Sequence, residues 1–174
     1  WASHLVFTNV EVTEAQVLGK VGDGYAALSH ANAHAMVGLF AEAVGVMEQS
    51  LWITRDYLKI RKQFGQTLSN FQSLQHRMSE MLIELELSRS MLHLALASLD
   101  LDAAQRDRAL SAVKAHIGKS GQFVCGQAIQ LHGGIGVTEE YVIGHYFKRM
   151  TLINAALGTS MHHYELLAEA ERAA

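Results

Sequence analysis

The complete absence of proline is the feature that most limits what this chain can fold into. Proline removes a backbone donor and clashes with the preceding helical turn, so a chain without it can form long uninterrupted helices. Apolar residues recur near helical spacing over residues 23–60, 70–99 and 102–131, and shorter helices are indicated after Thr138 and from Ser160 towards Arg172. Long helices separated by short breaks predict an all-α fold, an up-and-down helical bundle packed at shallow angles.

Several residues at the expected helix boundaries match capping signals. Ser69 followed three residues later by Gln72 has the capping-box pattern, which predicts the start of the second helix. Asp102 predicts a cap for the third helix, and the HGGIG motif at residues 132–136 predicts its end, because glycine accepts the left-handed backbone found there. Thr138, followed by two glutamates, predicts the start of a fourth helix.

The first residues follow a different pattern from the rest of the chain. Residues 5–12 alternate with period two, and β-branched residues fall on one face, as is typical of a strand. A single strand is not stable alone. We therefore expect its partner to lie outside this chain or in a segment not represented here, which makes these residues a short N-terminal β remnant of a larger protein.

Charge and cysteine content argue against several functional classes. Fourteen Lys and Arg against seventeen Asp and Glu give a net charge of -3, which provides no basic field for nucleic acid. Glu42, Glu48 and Arg55 interrupt the apolar runs, so we expect no membrane span, and the start lacks the cationic region of a signal peptide. The single Cys125, with apolar neighbours, predicts a buried thiol, a reducing compartment and a cytoplasmic location.

The junction at residues 60–72 combines features that suit a flat, anionic ligand. Arg61 offers a guanidinium, Phe64 offers an aromatic ring, and the start of the second helix offers free backbone donors. The glycines of the later HGGIG motif either stop the third helix or let backbone approach a phosphate. Gln130, just upstream, could add its amide to the same ligand.

Other chemistry finds little support in the sequence. His30 and His34 lie one helical turn apart, as two metal ligands would, but no third ligand is evident. Cys125 has no adjacent cation to lower its pKa, and the chain contains no GxSxG elbow. We therefore expect neither a metal site nor a nucleophilic residue.

Three motifs, in this order, resemble the carboxy-terminal helical domain of the acyl-CoA dehydrogenase family. They are RKQFGQTLSNFQSLQHRMSEM, QLHGGIGVTEEY and the GTS that follows KRMTLI. The stretches SHLVFTNVEV and LGKVGDGY are similar to the last strand of that family's middle β domain and its passage into a long helix. The resemblance implies the end of a middle β domain over residues 1–21 and a C-terminal helical bundle domain over residues 22–174.

The resemblance also implies a cofactor, a reaction and an assembly. These are FAD, the oxidation of acyl-CoA to its 2,3-enoyl form with an electron-transfer acceptor, and a homo- or hetero-oligomer built as a dimer of dimers. In the family, the corresponding motifs hold the ADP half of FAD from a neighbouring subunit. The positions carried over are Arg61, Phe64, Phe71, Gln72, Gln130, Gly133 and Gly134, with Thr159 of the GTS motif as another flavin contact.

The family's usual catalytic base is missing, so we assign no catalytic residue. In much of the family a glutamate precedes the glycine of GTS, where this chain has Leu157; in other members it lies on the first long helix, at positions that are Ala35 and Met36 here. The nearby amide of Asn154 cannot accept the proton.

The HYFKRMTLI motif and the later HH pair are similar to small or partner subunits of heteromeric dehydrogenases, including those acting on steroid side-chain CoA esters. We therefore expect a partner subunit to supply the base. One alternative is that a glutamate such as Glu42 acts instead. The alternative from another functional class is a structural or interaction module that has lost flavin.

Overall fold

The structure, a computed structural model, describes residues 3–173 and confirms the all-α prediction. Its helices are α1 (Gly24–Ile60), α2 (Gln72–Ser98), α3 (Ala103–His132), α4 (Val142–Ala155) and α5 (Ser160–Ala173). Two short antiparallel strands, β1 (Lys62–Gln63) and β2 (Gln66–Thr67), form a hairpin between α1 and α2. Single 3-10 turns span Glu14–Gln16, Leu68–Asn70 and Gly133–Val137.

Helix α3 lies at the centre of the bundle and packs against α1, α2, α4 and α5. Its inner residues Val113, Ile117 and Val124 are buried, and they meet the buried face of α1 around Phe40 and Met47. Each large apolar side chain removed from water in this way contributes about 1.5–3 kcal/mol. The core therefore depends on α3, and the ends of α1, α2 and α3 are held in fixed relation around it.

Two of the predicted helix ends are confirmed in atomic detail. The Asp102 Oδ1 accepts a hydrogen bond of 3.0 Å from the backbone N–H of Gln105, which caps α3. The same helix ends at His132, followed by Gly133 with a φ of +65°. That angle lies in the region that favours glycine, so the glycine stops the helix as expected.

Two other predicted starts are wrong. Ser69 and Gln72 form no capping box, because residues 68–70 turn as a 3-10 helix and the Ser69 hydroxyl bonds the Thr67 hydroxyl instead. Helix α4 begins at Val142 rather than at Thr138. The 3-10 turn that follows α3 runs on to residue 137, and the Thr138 hydroxyl donates back to the carbonyl of Ile135, so Thr138 closes that turn and does not open a helix.

Residues 3–13 have no regular secondary structure, and Leu5, Val6 and Phe7 are largely exposed. Nothing in the described part of the chain pairs with them, so the strand stays a prediction for a protein that supplies its partner. Contrary to the sequence-based expectation, α1 is long and apolar enough to cross a membrane by length and composition alone. One face of α1, which includes Phe40 and Met47, is part of the hydrophobic core, and buried core helices often have this composition.

Candidate functional site

A cleft of about 470 Å³ lies where the end of α1, the hairpin, the first turns of α2 and the end of α3 meet. Four different stretches of the chain contribute to its walls. Its lining residues are Tyr57, Arg61, Gln63, Leu68, Ser73, Leu74, Arg77, Gln130, Leu131, His132, Gly133 and Gly134. No aspartate or glutamate is among them. The lining side chains therefore carry positive charge and neutral polar groups but no negative charge.

Arg61 directly follows the last residue of α1. Its backbone is extended, and its carbonyl accepts a hydrogen bond of 2.8 Å from the N–H of Leu68, which ties the base of the hairpin to the helix end. The side chain is exposed and forms no ion pair with any residue between 3 and 173. The backbone of Arg61 is thus held in place, while its guanidinium keeps all its donors for a ligand.

Arg77 brings a second guanidinium to the cleft from the second turn of α2. Its Nη1 donates to the Oε1 of Gln127 on α3 at 2.9 Å. A neutral amide orients the fork without neutralising its charge, and Arg77 has no carboxylate partner in the described part of the chain. Two uncompensated cations therefore face one cleft.

The start of α2 adds backbone donors to these charges. The residue before the helix is Phe71, and no side chain caps the first turn. Ser73, in that turn, lines the cleft. The first N–H groups of a helix lack internal partners and carry the positive end of its dipole, so the failure of the predicted capping box leaves donors free for an anion.

Gly133 and Gly134 form the opposite wall. Gly133 needs its positive φ to end α3, but a Cβ added at Gly134 would meet no atom of the protein within 4 Å. Packing therefore does not explain the glycine at position 134. By contrast, a Cβ at the buried Gly136 would lie 2.8 Å from the carbonyl oxygen of Ile129, which packing forbids.

An aromatic cluster supports the wall from behind. The His132 ring stacks on Tyr57 with centroids 4.4 Å apart and lies 5.0 Å from the ring of Tyr141. Its Nδ1 donates to the Ala128 carbonyl at 2.7 Å, and its own carbonyl accepts from the Tyr57 hydroxyl at 3.3 Å. Burial lowers the pKa of His132, although the hydrogen bond to Ala128 opposes this, so the ring is neutral and holds the glycine turn in place.

The hairpin beside the cleft displays an aromatic residue. Phe64 and Gly65 occupy its turn with φ values of +52° and +81°, both left-handed. The Phe64 side chain is 89% exposed and touches Phe71 edge to face, with ring centroids 6.2 Å apart. A phenylalanine in this conformation is unusual and costs free energy, so the turn presents its ring outward at the expense of stability.

Comparison with known proteins identifies the family. The family model described as "Acyl-CoA dehydrogenase, C-terminal domain" matches residues 22–171. This chain belongs to the acyl-CoA dehydrogenase family.

Among curated relatives, the mitochondrial short/branched chain specific acyl-CoA dehydrogenase of Bos taurus is 31% identical over 156 residues, which cover 90% of this chain and 36% of that protein. Among solved structures, a variant of a steroid ACAD is 34% identical with a TM-score of 0.79, covering 85% of this chain and 41% of the other. A structure described as PigA with FAD and proline is 26% identical with a TM-score of 0.85, covering 95% and 43%. The chain thus spans about two fifths of the proteins it matches.

In this acyl-CoA dehydrogenase domain the structure brings together only some of the predicted flavin contacts. Arg61, Gln130, Gly133 and Gly134 line the same cleft. The other four lie outside it. They are Phe64 and Phe71 on and beside the hairpin, Gln72 at the start of α2, and Thr159, which lies near Lys119 and Gln122 between α3 and α5.

Several residues that line the cleft could not be predicted from the sequence. They are Tyr57, Gln63, Ser73, Arg77 and His132. None of them carried a local signal. Arg77 lies beyond the first turn of α2, where the helix dipole acts most strongly, and the place of the others in the cleft depends on how separate helices pack.

The position at which the family resemblance places the usual base has an unusual backbone conformation in this acyl-CoA dehydrogenase domain. Leu157 has a φ of +56° and is 42% exposed. Its carbonyl accepts from the Nε2 of the buried His163 at 3.0 Å. One turn earlier, the buried Lys114 ammonium donates to the carbonyls of Ile153 and Asn154 at 2.6 and 3.0 Å. Hydrogen bonds thus hold this turn in place, but the side chain of Leu157 is a hydrocarbon and cannot accept a proton.

The alternative base Glu42 is already engaged. Its two carboxylate oxygens accept hydrogen bonds of 2.5 and 2.7 Å from the Arg149 guanidinium. Hydrogen bonding to Arg149 is the main cause that lowers the pKa of Glu42, and the positive charge of Arg149 lowers it further. A paired carboxylate with a lowered pKa is a weaker base, so the structure argues against this alternative.

Proposed function

We propose that this chain is the flavin-contacting C-terminal domain of an FAD-dependent enzyme that oxidises an acyl-CoA to its 2,3-enoyl form. The cleft receives the diphosphate of the ADP half of FAD. When bound, FAD supplies the acceptor for the hydride that leaves the substrate. The chain's own residues bind and orient the cofactor, and its helices contribute to the oligomer.

The observation that carries this proposal is a cleft whose lining, within the described residues, contains two guanidiniums without a carboxylate partner and no Asp or Glu. A charge-assisted hydrogen bond contributes about 1.5–3 kcal/mol, so Arg61 and Arg77 together favour a dianionic group strongly. The open start of α2 adds backbone donors at the same place. Gln63 and Gln130 provide amides for the remaining phosphate and sugar oxygens, and Gly134 leaves space for close approach.

The exposed Phe64 supports a cofactor that is shared between subunits. Its ring lies beside the cleft and points away from the bundle, where a neighbouring subunit's flavin nucleotide would cover it. Thr159, in a separate pocket beside Lys119 and Gln122, would contact a second cofactor in the same scheme. A dimer of dimers, homomeric or with a partner chain, satisfies both contacts.

We further propose that a partner subunit supplies the catalytic base, because Leu157, Ala35 and Met36 cannot accept a proton. In this scheme an electron-transfer acceptor would reoxidise the enzyme after each turnover. A chain of this kind acts in fatty acid or steroid side-chain metabolism in the cytoplasm, with residues 1–21 completing a middle β domain.

The test uses the full-length protein produced with its natural partner. Arg61→Gln is compared with Arg108→Gln, which removes an exposed arginine that pairs with Glu171 on the far side of the bundle. We expect the wild-type complex and the Arg108 variant to be yellow. Loss of one charge-assisted contact predicts FAD binding about 10- to 100-fold weaker in the Arg61 variant.

A correctly assembled complex without bound flavin would contradict the proposal and favour the structural module. The base is tested separately. We expect the homomeric protein to be nearly inactive on any acyl-CoA, and efficient flavin reduction by an acyl-CoA in the homomer would show that the chain contains its own base.

A further inference from the structure

We infer that Arg77, held by Gln127, is a second phosphate-binding residue of the cleft. The two phosphates of the ligand are then held by guanidiniums from different helices. This inference rests on the proposed function, since it concerns the same cleft. It assigns a role to a residue pair on α2 and α3 that the family's motifs, as carried over above, leave out.

The charge of Arg77 is not compensated within its own helix. Arg77 is the sixth residue of α2, in the second turn. Glu80 lies three residues further on, at a spacing where an ion pair is possible, yet the structure shows no ion pair between them. The guanidinium turns instead towards α3 and the cleft, which leaves its charge for a ligand.

Gln127 holds the Arg77 guanidinium in this orientation. Its amide is half-buried on α3, and its Oε1 accepts from one of the five N–H groups of Arg77 at 2.9 Å. The bond fixes the fork across the boundary between two helices. Because the partner is neutral, four donors and the full charge remain available for a phosphate.

Arg61 and Arg77 reach the cleft from separate elements. Arg61 follows the end of α1, and Arg77 lies on α2. Both line the cleft together with Ser73, whose helix turn carries free backbone N–H groups. Two charges that come from two directions match a ligand with two linked phosphates better than a single phosphate. We therefore expect inorganic pyrophosphate to compete with FAD more strongly than orthophosphate does.

The test measures FAD affinity of the deflavinated full-length complex in three variants. Arg77→Gln should weaken binding about 10- to 100-fold and reduce competition by pyrophosphate. Arg77→Lys keeps the charge but loses the fork, so it should restore part of the affinity. Gln127→Leu keeps the guanidinium but releases it, and a smaller loss is expected. Arg108→Gln is the matched surface control.

The outcomes separate this inference from the proposed function. If Arg61→Gln weakens FAD binding and Arg77→Gln does not, the inference is wrong and the proposed function stands. If neither substitution changes FAD binding, both are wrong. If Arg77→Gln does not assemble, Arg77→Lys and Gln127→Leu decide, because wild-type affinity in both of these would overturn the inference.

Discussion

Single residues in the cleft show which parts are shaped by the fold and which are shaped for a ligand. Gly134 and Gly136 lie two residues apart in the same turn. A side chain at Gly136 would collide with the backbone of Ile129, whereas one at Gly134 would enter open space. Of these two glycines, packing requires the one at position 136 but not the one at position 134.

This contrast gives a matched pair of substitutions. Gly136→Ala should lower the stability of the domain by about 1–3 kcal/mol, because overpacking forces the backbone apart. Gly134→Ala should leave the melting temperature nearly unchanged, but should weaken FAD binding, since its methyl group occupies space in the cleft. Thermal unfolding and FAD titration of the full-length complex measure the two effects. Wild-type FAD affinity in Gly134→Ala would show that the backbone does not approach the ligand there.

At the scale of elements, the hairpin between α1 and α2 displays a side chain at a cost in stability. Both residues of its turn, Phe64 and Gly65, have left-handed backbone. Asparagine and glycine are the residues that such two-residue turns favour. Phenylalanine gains little from folding here, because its ring is almost fully exposed.

We therefore expect Phe64→Asn to stabilise the domain by about 0.5–1 kcal/mol and at the same time to weaken FAD retention. The opposite signs of the two effects distinguish a displayed binding residue from a structural one. Phe71→Leu, at the partly buried neighbouring ring, is the control and should not raise the melting temperature. A Phe64→Asn protein with unchanged flavin content would contradict the role of the ring.

The elements themselves were largely predictable from the sequence, because apolar periodicity and the absence of proline fix long helices locally. Asp102 and Gly133 marked the ends of α3 correctly, since caps depend on neighbouring residues only. The Ser69 cap failed because a hairpin precedes α2, and two-residue strands have no periodicity to detect. The orientation of Arg77 depends on a hydrogen bond to Gln127, fifty residues away, and no local sequence pattern contains such a pair.

At the scale of the whole molecule, three histidines, two of them buried and one half-buried, make the stability of the bundle depend on pH. His116, His132 and His163 each have a pKa that burial lowers from the ordinary 6.5. The unfolded chain therefore takes up protons at a higher pH than the folded one does. The stability from these neutral rings is complete above pH 6.5 and falls as the pH drops below that value.

We expect the melting temperature of the full-length complex to decrease steeply between pH 6.5 and 5. For each proton taken up on unfolding, the free energy of unfolding should fall by about 1.4 kcal/mol per pH unit. His132→Phe should make this dependence shallower, because the aromatic ring can still stack on Tyr57 but no longer titrates. His93→Gln, at an exposed position on α2, is the control and should keep the wild-type slope. Equal slopes in all three proteins would exclude His132 as a source of the acid sensitivity.

The central place of α3 also has a consequence for how the chain is made. Helices α1 and α2 are synthesised first, but the faces that they bury against α3 have no cover until its 30 residues have left the ribosome. At about 5–20 residues per second, synthesis of α3 takes roughly 1.5–6 s. During that interval the apolar stripes of α1 and α2 are exposed to other nascent chains and to chaperones. A ribosomal pause within α3 would therefore lower the yield of native protein without any change in its sequence.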